Sequence, residues 1–160
     1  MIHYSKKGKI YFPFLLLFLF LSCQSHRSNN STDTTFNQGL KGKIIFKEGN
    51  FYPNGEIRDR GSIYAVERQI YVHELTTISE VDLAEGNFLK NVYSAPIDTV
   101  YSDHKGEFKI PLEPGKYSLF INENQRLYSK MTEGGKFFPV EVVKDSVKEI
   151  TIEIDYKAIY

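Results

Sequence analysis

Residues 102–121 read SDHKGEFKIPLEPGKYSLFI, and this stretch decides how the chain folds. Its apolar residues recur at every second position, which is the period of a β-strand with one buried face. Pro114-Gly115 reverses the chain between two such runs, and a turn from Asp103 to Gly106 precedes the first run. We therefore predict two strands joined as a hairpin. The apolar positions are Phe108, Ile110 and Leu112 before the reversal and Tyr117, Leu119 and Ile121 after it.

The same period of two recurs on both sides of this hairpin. It predicts a first strand around Ile44 and a second from Val66 to Leu75, with a long loop from Gly49 to Ser62 between them. Residues 76–95 are irregular and fit either a short helical turn or a loop over a sheet edge. About seven short strands without a long helix predict an all-β fold, a single antiparallel Greek-key sandwich. The remaining predicted strands are Ile97–Tyr101, Phe137–Val143 and a last run from Val147, in which Ile150, Ile152, Ile154 and Tyr156 share one face.

Residues 1–22 are predicted to be an export signal, because lysines precede an apolar run from Phe12 to Leu21. That run is about half the length that a membrane-spanning helix needs. The tetrapeptide FLSC, which ends at Cys23, resembles the lipobox of bacterial lipoproteins. The resemblance implies that Cys23 carries a diacylglycerol and anchors the chain to a membrane. Residues 23–38, rich in Ser, Thr and Asn, are predicted to be a flexible tether.

Charge and cysteine content restrict the possible functions. Three of the 20 basic residues lie in the signal and all 20 acidic residues follow it, so the remaining chain has a net charge of −3. Its lysines and arginines are scattered, which does not suit a phosphate backbone, and we expect no nucleic-acid partner. The single cysteine excludes an internal disulfide and a cysteine-based zinc site. Residues 39–160 are long enough to fold as one domain without such crosslinks.

The stretch that decides the fold also carries a family resemblance. Residues 102–108, SDHKGEF, and 112–119, LEPGKYSL, resemble the carboxypeptidase regulatory-like domain, a transthyretin-like (prealbumin-like) β-sandwich. The segments RQIYVHELT at 68–76 and FPVEV at 138–142 look like a group of small bacterial lipoproteins that carry this one domain. The resemblance covers residues 39–160 and implies an accessory, adhesive or spacer module.

Structural roles follow for the residues of this motif. Asp103 is expected to accept backbone N–H groups within its own turn, and Gly106 to supply turn geometry without a Cβ clash. The large apolar positions fill the space between two sheets, and the Pro-Gly pair sets the reversal. These positions are Phe108, Leu112, Pro114, Gly115, Tyr117 and Leu119.

Catalytic chemistry finds little support in the sequence. Nucleophilic catalysis needs a Ser, Cys or Thr beside a base. The available histidines are His26 in the tether, His73 on a strand and His104 in a turn, and we interpret them as solvated or packed residues. Transthyretin-like hydroxyisourate hydrolases end in Tyr-Arg-Gly-Ser, which YKAIY at residues 156–160 does not match. No HExxH spacing occurs either, so we predict no enzymatic activity and no cofactor.

Acidic residues suggest calcium only weakly. Asp82 and Glu85 lie in the irregular segment, and Asp98 and Asp103 flank a predicted strand. No DxDxDG-type run joins them. We interpret these acids as solvated or turn-forming and predict no metal site.

The loop from Glu48 to Gly61 is the strongest candidate for binding a partner. It carries Phe51 and Tyr52 in a polar, glycine-rich stretch, and loops at the tip of a sandwich often contact partners. The alternative is that both rings fold back over the core, and Tyr128 is open to the same two interpretations.

We predict a non-catalytic, membrane-anchored envelope lipoprotein that binds or spaces a protein or matrix partner. It is expected to face the periplasm, because no acidic cluster follows Cys23. The alternative function is a carbohydrate-binding module that uses Phe51 and Tyr52.

Overall fold

The computed structural model describes residues 36–52 and 60–160, which form eleven β-strands and one short 3₁₀ helix, Ile78–Glu80. In these two segments no helix is long and apolar enough to cross a membrane. The predicted signal, Cys23 and most of the tether lie outside the described residues, as do positions 53–59 of the predicted loop. The strands are β1 (Gly39–Asn50), β2 (Ser62–Ala65), β3 (Gln69–Glu74), β4 (Val81–Leu83), β5 (Phe88–Val92), β6 (Asp98–Tyr101), β7 (Glu107–Ile110), β8 (Gly115–Glu123), β9 (Arg126–Tyr128), β10 (Pro139–Val142) and β11 (Val147–Ile159).

The strands form two sheets, and the main hydrophobic core lies between them. The four-stranded sheet has the order β11-β1-β2, with β7 also paired to β1. The seven-stranded sheet has the order β4-β5-β9-β8-β3-β6, with β10 also paired to β8. The predicted all-β sandwich is therefore confirmed, although it has more strands than the seven or so expected. Its core includes Leu40, Ile44, Ile152 and Ile154 from the first sheet and Ile70, Val72, Leu119 and Ile121 from the second.

The predicted hairpin at Pro114-Gly115 is wrong, because its two strands belong to different sheets. β7 pairs with β1, whereas β8 pairs with β3, β9 and β10. Residues 111–114 therefore carry the chain from one sheet to the other. An alternating pattern fixes which side chains are buried but does not fix the neighbouring strand. Both strands point their apolar residues into the same core from opposite sides.

β1 and β11 form the longest strand pair, and they run parallel, whereas the other pairs of named strands are antiparallel. Their register runs from Gly39 opposite Val147 to Asn50 opposite Ile159. It shifts once, between Phe46 and Glu48. Because parallel partners end on the same side, the residues that follow Asn50 lie beside the end of β11.

The boundaries differ from the sequence prediction around the long loop. β1 extends into that loop as far as Asn50, and β2 begins at its last residue, Ser62, and runs to Ala65. β3 begins at Gln69 rather than Val66, although Val66 is buried in the core. None of the β2 side chains is fully buried, so no alternation of buried residues marks this strand in the sequence.

Residues 76–95 contain the 3₁₀ helix followed by β4 and β5 at one edge of the seven-stranded sheet. Thr77 and Glu80 form a capping box at the start of the helix. Phe120 lies between two residues of the main core, so it points to the opposite face of β8. A second, smaller core covers that outer face. Its buried members are Val81, Leu89, Val92, Phe120 and Phe137.

Candidate binding site

Phe51 and Tyr160 stack at one end of the four-stranded sheet beside Tyr52, and Tyr64 lies further along β2, opposite Phe46; we call these four residues the aromatic end. Phe51 and Tyr52 follow β1, Tyr64 lies in β2 and Tyr160 follows β11. The side chains of Tyr52, Tyr64 and Tyr160 are 54%, 43% and 59% exposed. Large apolar side chains exposed together on a monomer mark a candidate interaction surface.

Tyr160 is held in place by Phe51. The two rings stack with centroids 5.8 Å apart and planes inclined by 27°. Phe51 is fixed in turn, because its backbone N–H donates to the Ile159 carbonyl at 2.8 Å. Its ring also lies on Gly61, where a Cβ would come within 2.3 Å of a Phe51 ring atom. A residue other than glycine at position 61 would displace this ring.

Asp155 ties the exposed Tyr160 to the interior. Its carboxylate accepts hydrogen bonds from the Tyr160 hydroxyl at 3.3 Å, from the Tyr128 hydroxyl at 2.8 Å and from the Lys130 ammonium. Burial alone would raise the pKa of Asp155, but the hydrogen bonds from Lys130 and Tyr128 outweigh that effect and hold the pKa below its usual range. Asp155 is therefore ionised near neutral pH, and Tyr160 rests against a fixed carboxylate.

A second ion pair lies beside the same carboxylate. Lys47 of β1 donates to Glu153 of β11 at 2.7 Å. This hydrogen bond raises the pKa of Lys47, in opposition to partial burial. The charges of Glu153, Tyr160 and Asp155 add to this rise in the pKa of Lys47.

Tyr64 is held on the core side of the aromatic end. Its ring stacks on the buried Phe46 at 5.7 Å, and its hydroxyl donates to Glu48 at 3.1 Å. Lys157 lies over the other side of this group, 5.7 Å from the Phe46 ring centroid. Asn50 accepts a hydrogen bond from the Tyr52 backbone N–H at 2.8 Å. Amide and carboxylate groups thus lie next to the exposed tyrosines.

Tyr128 does not belong to this surface. It lies in β9 rather than in a loop, its side chain is 1% exposed, and its hydroxyl is bound to Asp155. Burial, with the hydrogen bond to Asp155, raises the pKa of Tyr128 above its usual range. The structure therefore corrects its assignment to a binding loop: Tyr128 has almost no surface to offer a ligand.

A buried carboxylate, Glu123, was missed by sequence reasoning. It accepts two hydrogen bonds from the Arg68 guanidinium and one from the Tyr156 hydroxyl at 3.0 Å. Leu119, Ile121 and Glu123 occupy alternate, core-facing positions of β8. The sequence does show a charged residue, Glu123, at a position that the alternation assigns to the core. Its partner Arg68 lies 55 residues away in the chain, so the sequence does not reveal the pair.

The histidines do not form a catalytic group with a base and a nucleophile in the described part of the chain. His73 is buried on the outer face of the seven-stranded sheet, with its ring edge against Phe120 and its Nδ1 2.9 Å from the Ser94 hydroxyl. Burial lowers the pKa of His73, so the ring is neutral at physiological pH. His104 is exposed in the turn before β7.

The motif residues serve the turn and the core. Asp103 accepts hydrogen bonds from the backbone N–H groups of Lys105 and Glu107, both at 2.8 Å. These backbone hydrogen bonds, that of Glu107 first, lower the pKa of Asp103. Gly106 has φ +74°, and a Cβ there would lie 2.4 Å from the Ile44 carbonyl oxygen. The other motif positions are Phe108 and Tyr117, both buried, Pro114 in the crossing between the sheets and Gly115, the first residue of β8.

The structure does not bring the candidate calcium ligands together within the described residues. Asp82 accepts the Tyr93 hydroxyl, and Asp98 accepts the backbone N–H of its neighbour Thr99. Across residues 36–52 and 60–160, no three His, Cys, Asp or Glu side chains are placed to hold a metal ion.

Comparison with protein-family models, curated proteins and solved structures gave no match. The resemblance to the carboxypeptidase regulatory-like domain therefore stays a prediction.

Proposed function

We propose that this chain is a lipid-anchored protein of the bacterial cell envelope whose β-sandwich is a non-catalytic binding or spacer module. The observation that carries the proposal is the aromatic end, where Tyr52 and Tyr160 are exposed at one end of the four-stranded sheet and Tyr64 is exposed further along β2. Tyrosine is enriched in binding surfaces because it offers a large contact area at a small cost in conformational entropy. The aromatic end is then the contact surface for a protein or matrix partner.

The sequence supports the anchor. A lipobox-like FLSC places Cys23 where bacterial lipoproteins are acylated, and residues 23–38 supply a polar tether before the domain. A lipid on Cys23 would hold the sandwich close to the membrane. Metabolic labelling with a fatty-acid analogue should tag the protein, and Cys23→Ser should remove the label. Retained label in that variant would exclude lipidation at Cys23.

The family resemblance supports a transthyretin-like, Greek-key version of the sandwich and an accessory role. The motif positions of that family are occupied here by turn and core residues, which give the domain rigidity. Rigid scaffolds suit a binding surface because the partner does not have to order it.

Photo-crosslinking in intact cells tests the proposal. A benzophenone amino acid at position 160 should capture a partner that the same probe at position 101 does not. Tyr101 is the matched control, because it is an exposed tyrosine (63%) in β6 of the other sheet. Equal capture from both positions, or from neither, would count against the aromatic end as the contact surface.

A carbohydrate-binding module is the second candidate. The observation that favours it is the set of polar groups beside the exposed rings, including Asn50, Glu48 and Asp155. Sugar sites combine an aromatic ring with a few fixed hydrogen-bonding groups. A glycan array with Phe51→Ala and Tyr52→Ala variants tests this candidate, because binding by the native chain should be lost in both.

A further inference from the structure

Three lysines line one groove beside β10, and we call it the lysine groove. Lys116 lies in β8, Lys136 lies between β9 and β10, and Lys148 lies in β11 of the other sheet. All three are exposed, and none forms an ion pair with another described residue. The groove has a volume of about 480 Å³, and the rest of its lining is Leu75, Thr132, Gly134, Pro139, Val140 and Glu141.

The lining of this groove is positive, although the chain beyond the signal is acidic. Glu141, opposite Lys116 in the register of β8 and β10, is the one acid among the lining residues, so three lysines leave a net charge of +2. Glu74 lies on the core-facing side of β3 and Glu133 in the exposed turn before Lys136, and neither lines the groove. A cleft lined mainly by one sign of charge concentrates ligands of the opposite sign.

Three further grooves in the described part of the chain lack this excess of positive charge. One, on the outer face of the four-stranded sheet, is lined by three lysines and three acids. Another pairs Glu67 with Arg68, and the third has Asp98 and Glu113 without a basic residue. Among these four grooves, the lysine groove is therefore the one suited to an anion.

The lysine groove lies at the end of the sandwich where the predicted tether enters. Gln38 donates from its side-chain amide to the Leu112 carbonyl at 2.9 Å and accepts a hydrogen bond from the Asp145 backbone N–H at 3.0 Å. Leu112 belongs to the crossing that leads to Lys116, and Asp145 belongs to the turn that leads to Lys148. The end of the tether is thus fixed next to the segments that carry two of the three lysines.

A lipid on Cys23 would keep this end of the sandwich near the membrane. Residues 23–38, as a flexible chain, would span about 20–25 Å on average. The aromatic end lies beyond the other end of β1, whose length is roughly 40 Å. The lysine groove and the aromatic end therefore lie at opposite ends of the domain.

From this placement we infer that the lysine groove docks on the anchoring membrane and binds the phosphate of an anionic lipid headgroup through Lys116, Lys136 and Lys148. A lysine ammonium suits this role, because it is a compact charge with three donors for phosphate oxygens. Docking through this groove directs the aromatic end away from the membrane. The inference rests on the proposed lipid anchor and adds a lipid ligand to it.

The test uses the full chain, purified in detergent and reconstituted into nanodiscs of phosphatidylcholine alone or with added phosphatidylglycerol. Neither lipid has a primary amine, so acetylation by an N-hydroxysuccinimide ester, read by mass spectrometry, reports on the lysines of the protein. The three groove lysines should react about fivefold more slowly in the anionic nanodiscs, in keeping with the attraction of a lysine to an anionic surface. Lys90 and Lys105, which are exposed elsewhere, should react equally in both. Raising the sodium chloride concentration should remove the difference, because salt screens the attraction.

Two single substitutions change the charge of the groove in opposite directions. Lys148→Gln should weaken the protection of the two remaining groove lysines by about twofold or more, whereas Glu141→Gln should strengthen the protection of all three. Lys90→Gln removes the same charge from β5 and is the matched control, which should behave as the native chain does. The substituted side chains are exposed, so the variants should keep the native stability.

Equal reactivity of the groove lysines in both kinds of nanodisc would overturn the inference and leave the anchor standing. Inorganic phosphate is the second probe. If it protects these lysines in neutral nanodiscs as well as phosphatidylglycerol does, the groove binds a free anion and membrane docking is overturned. If the chain stays with neither kind of nanodisc, it has no lipid anchor, and the anchor and the inference both fail.

Discussion

Tyr128 and Tyr160 donate to the same carboxylate, that of Asp155, and yet they lie in opposite environments. Tyr128 is 1% exposed and packs with Phe88 and Tyr156 inside the sandwich, whereas Tyr160 is 59% exposed and touches only the edge of the fold. The shared partner shows that residue type and hydrogen bonding alone do not separate a structural tyrosine from a binding one. Burial separates them.

The largest effect on stability is expected for Tyr128→Ala. It removes a buried ring and leaves Asp155 without one of its donors, which should cost about 3–5 kcal/mol of unfolding free energy. Urea unfolding followed by circular dichroism measures this loss. Tyr160→Ala is the matched control, and it should cost less than about 0.5 kcal/mol because the side chain is exposed. Similar losses in both variants would remove the distinction between the two tyrosines.

A smaller effect is expected when only the hydroxyl is removed. Tyr128→Phe should cost about 1–2 kcal/mol, because the half-buried Asp155 loses a hydrogen bond to its carboxylate and another from its backbone N–H. Tyr160→Phe removes a longer, exposed hydrogen bond to the same carboxylate and should be close to neutral. The difference between the two urea midpoints reports mainly on burial, since the same atom is deleted and both hydroxyls donate to the Asp155 carboxylate. A larger loss from Tyr160→Phe would contradict the assigned burial.

The smallest effect concerns a second pair of like residues, the buried His73 and the exposed His104. Because burial lowers the pKa of His73 in the folded state, the unfolded chain binds more protons just below the unperturbed value of about 6.5. Stability should therefore fall as the pH drops through that region, by no more than about 1.4 kcal/mol per pH unit.

Urea unfolding at several pH values between 5 and 8 measures this slope, in steps of about one unit. His73→Gln should flatten it, whereas His104→Gln should leave it as in the native chain. A slope that persists unchanged in His73→Gln would assign the pH dependence to another group.

The strands with one buried face, such as β7, β8 and β11, could be predicted from the alternation of apolar residues, because burial on one face imposes that period. β11 illustrates this, since Ile152 and Ile154 are buried as the pattern indicates. β2, which buries no side chain fully, and the short strands β4, β5 and β9 could not. Strand partners could not be predicted in the same way. β7 and β8 follow one another in the chain and carry matching patterns, but they lie in different sheets.

The candidate site was predictable only in part. Phe51 and Tyr52 stand out in the sequence as aromatic residues in a polar loop, but Tyr160 joins them through the parallel pairing of β1 with β11. The contacts of Asp155 with Tyr128 and Lys130 arise where the register of that pair shifts, and they join residues 27 and 25 positions apart. No local pattern in a sequence encodes such a contact.

Hydroxyl-radical footprinting of the tyrosines, in intact cells and in the purified full chain, tests the central claim most directly. If the aromatic end is the contact surface, Tyr52 and Tyr160 should be labelled in the purified protein and protected in cells. Tyr101 should be labelled equally in both, and Tyr128 in neither. Equal labelling of Tyr160 in cells and in the purified protein would contradict the account.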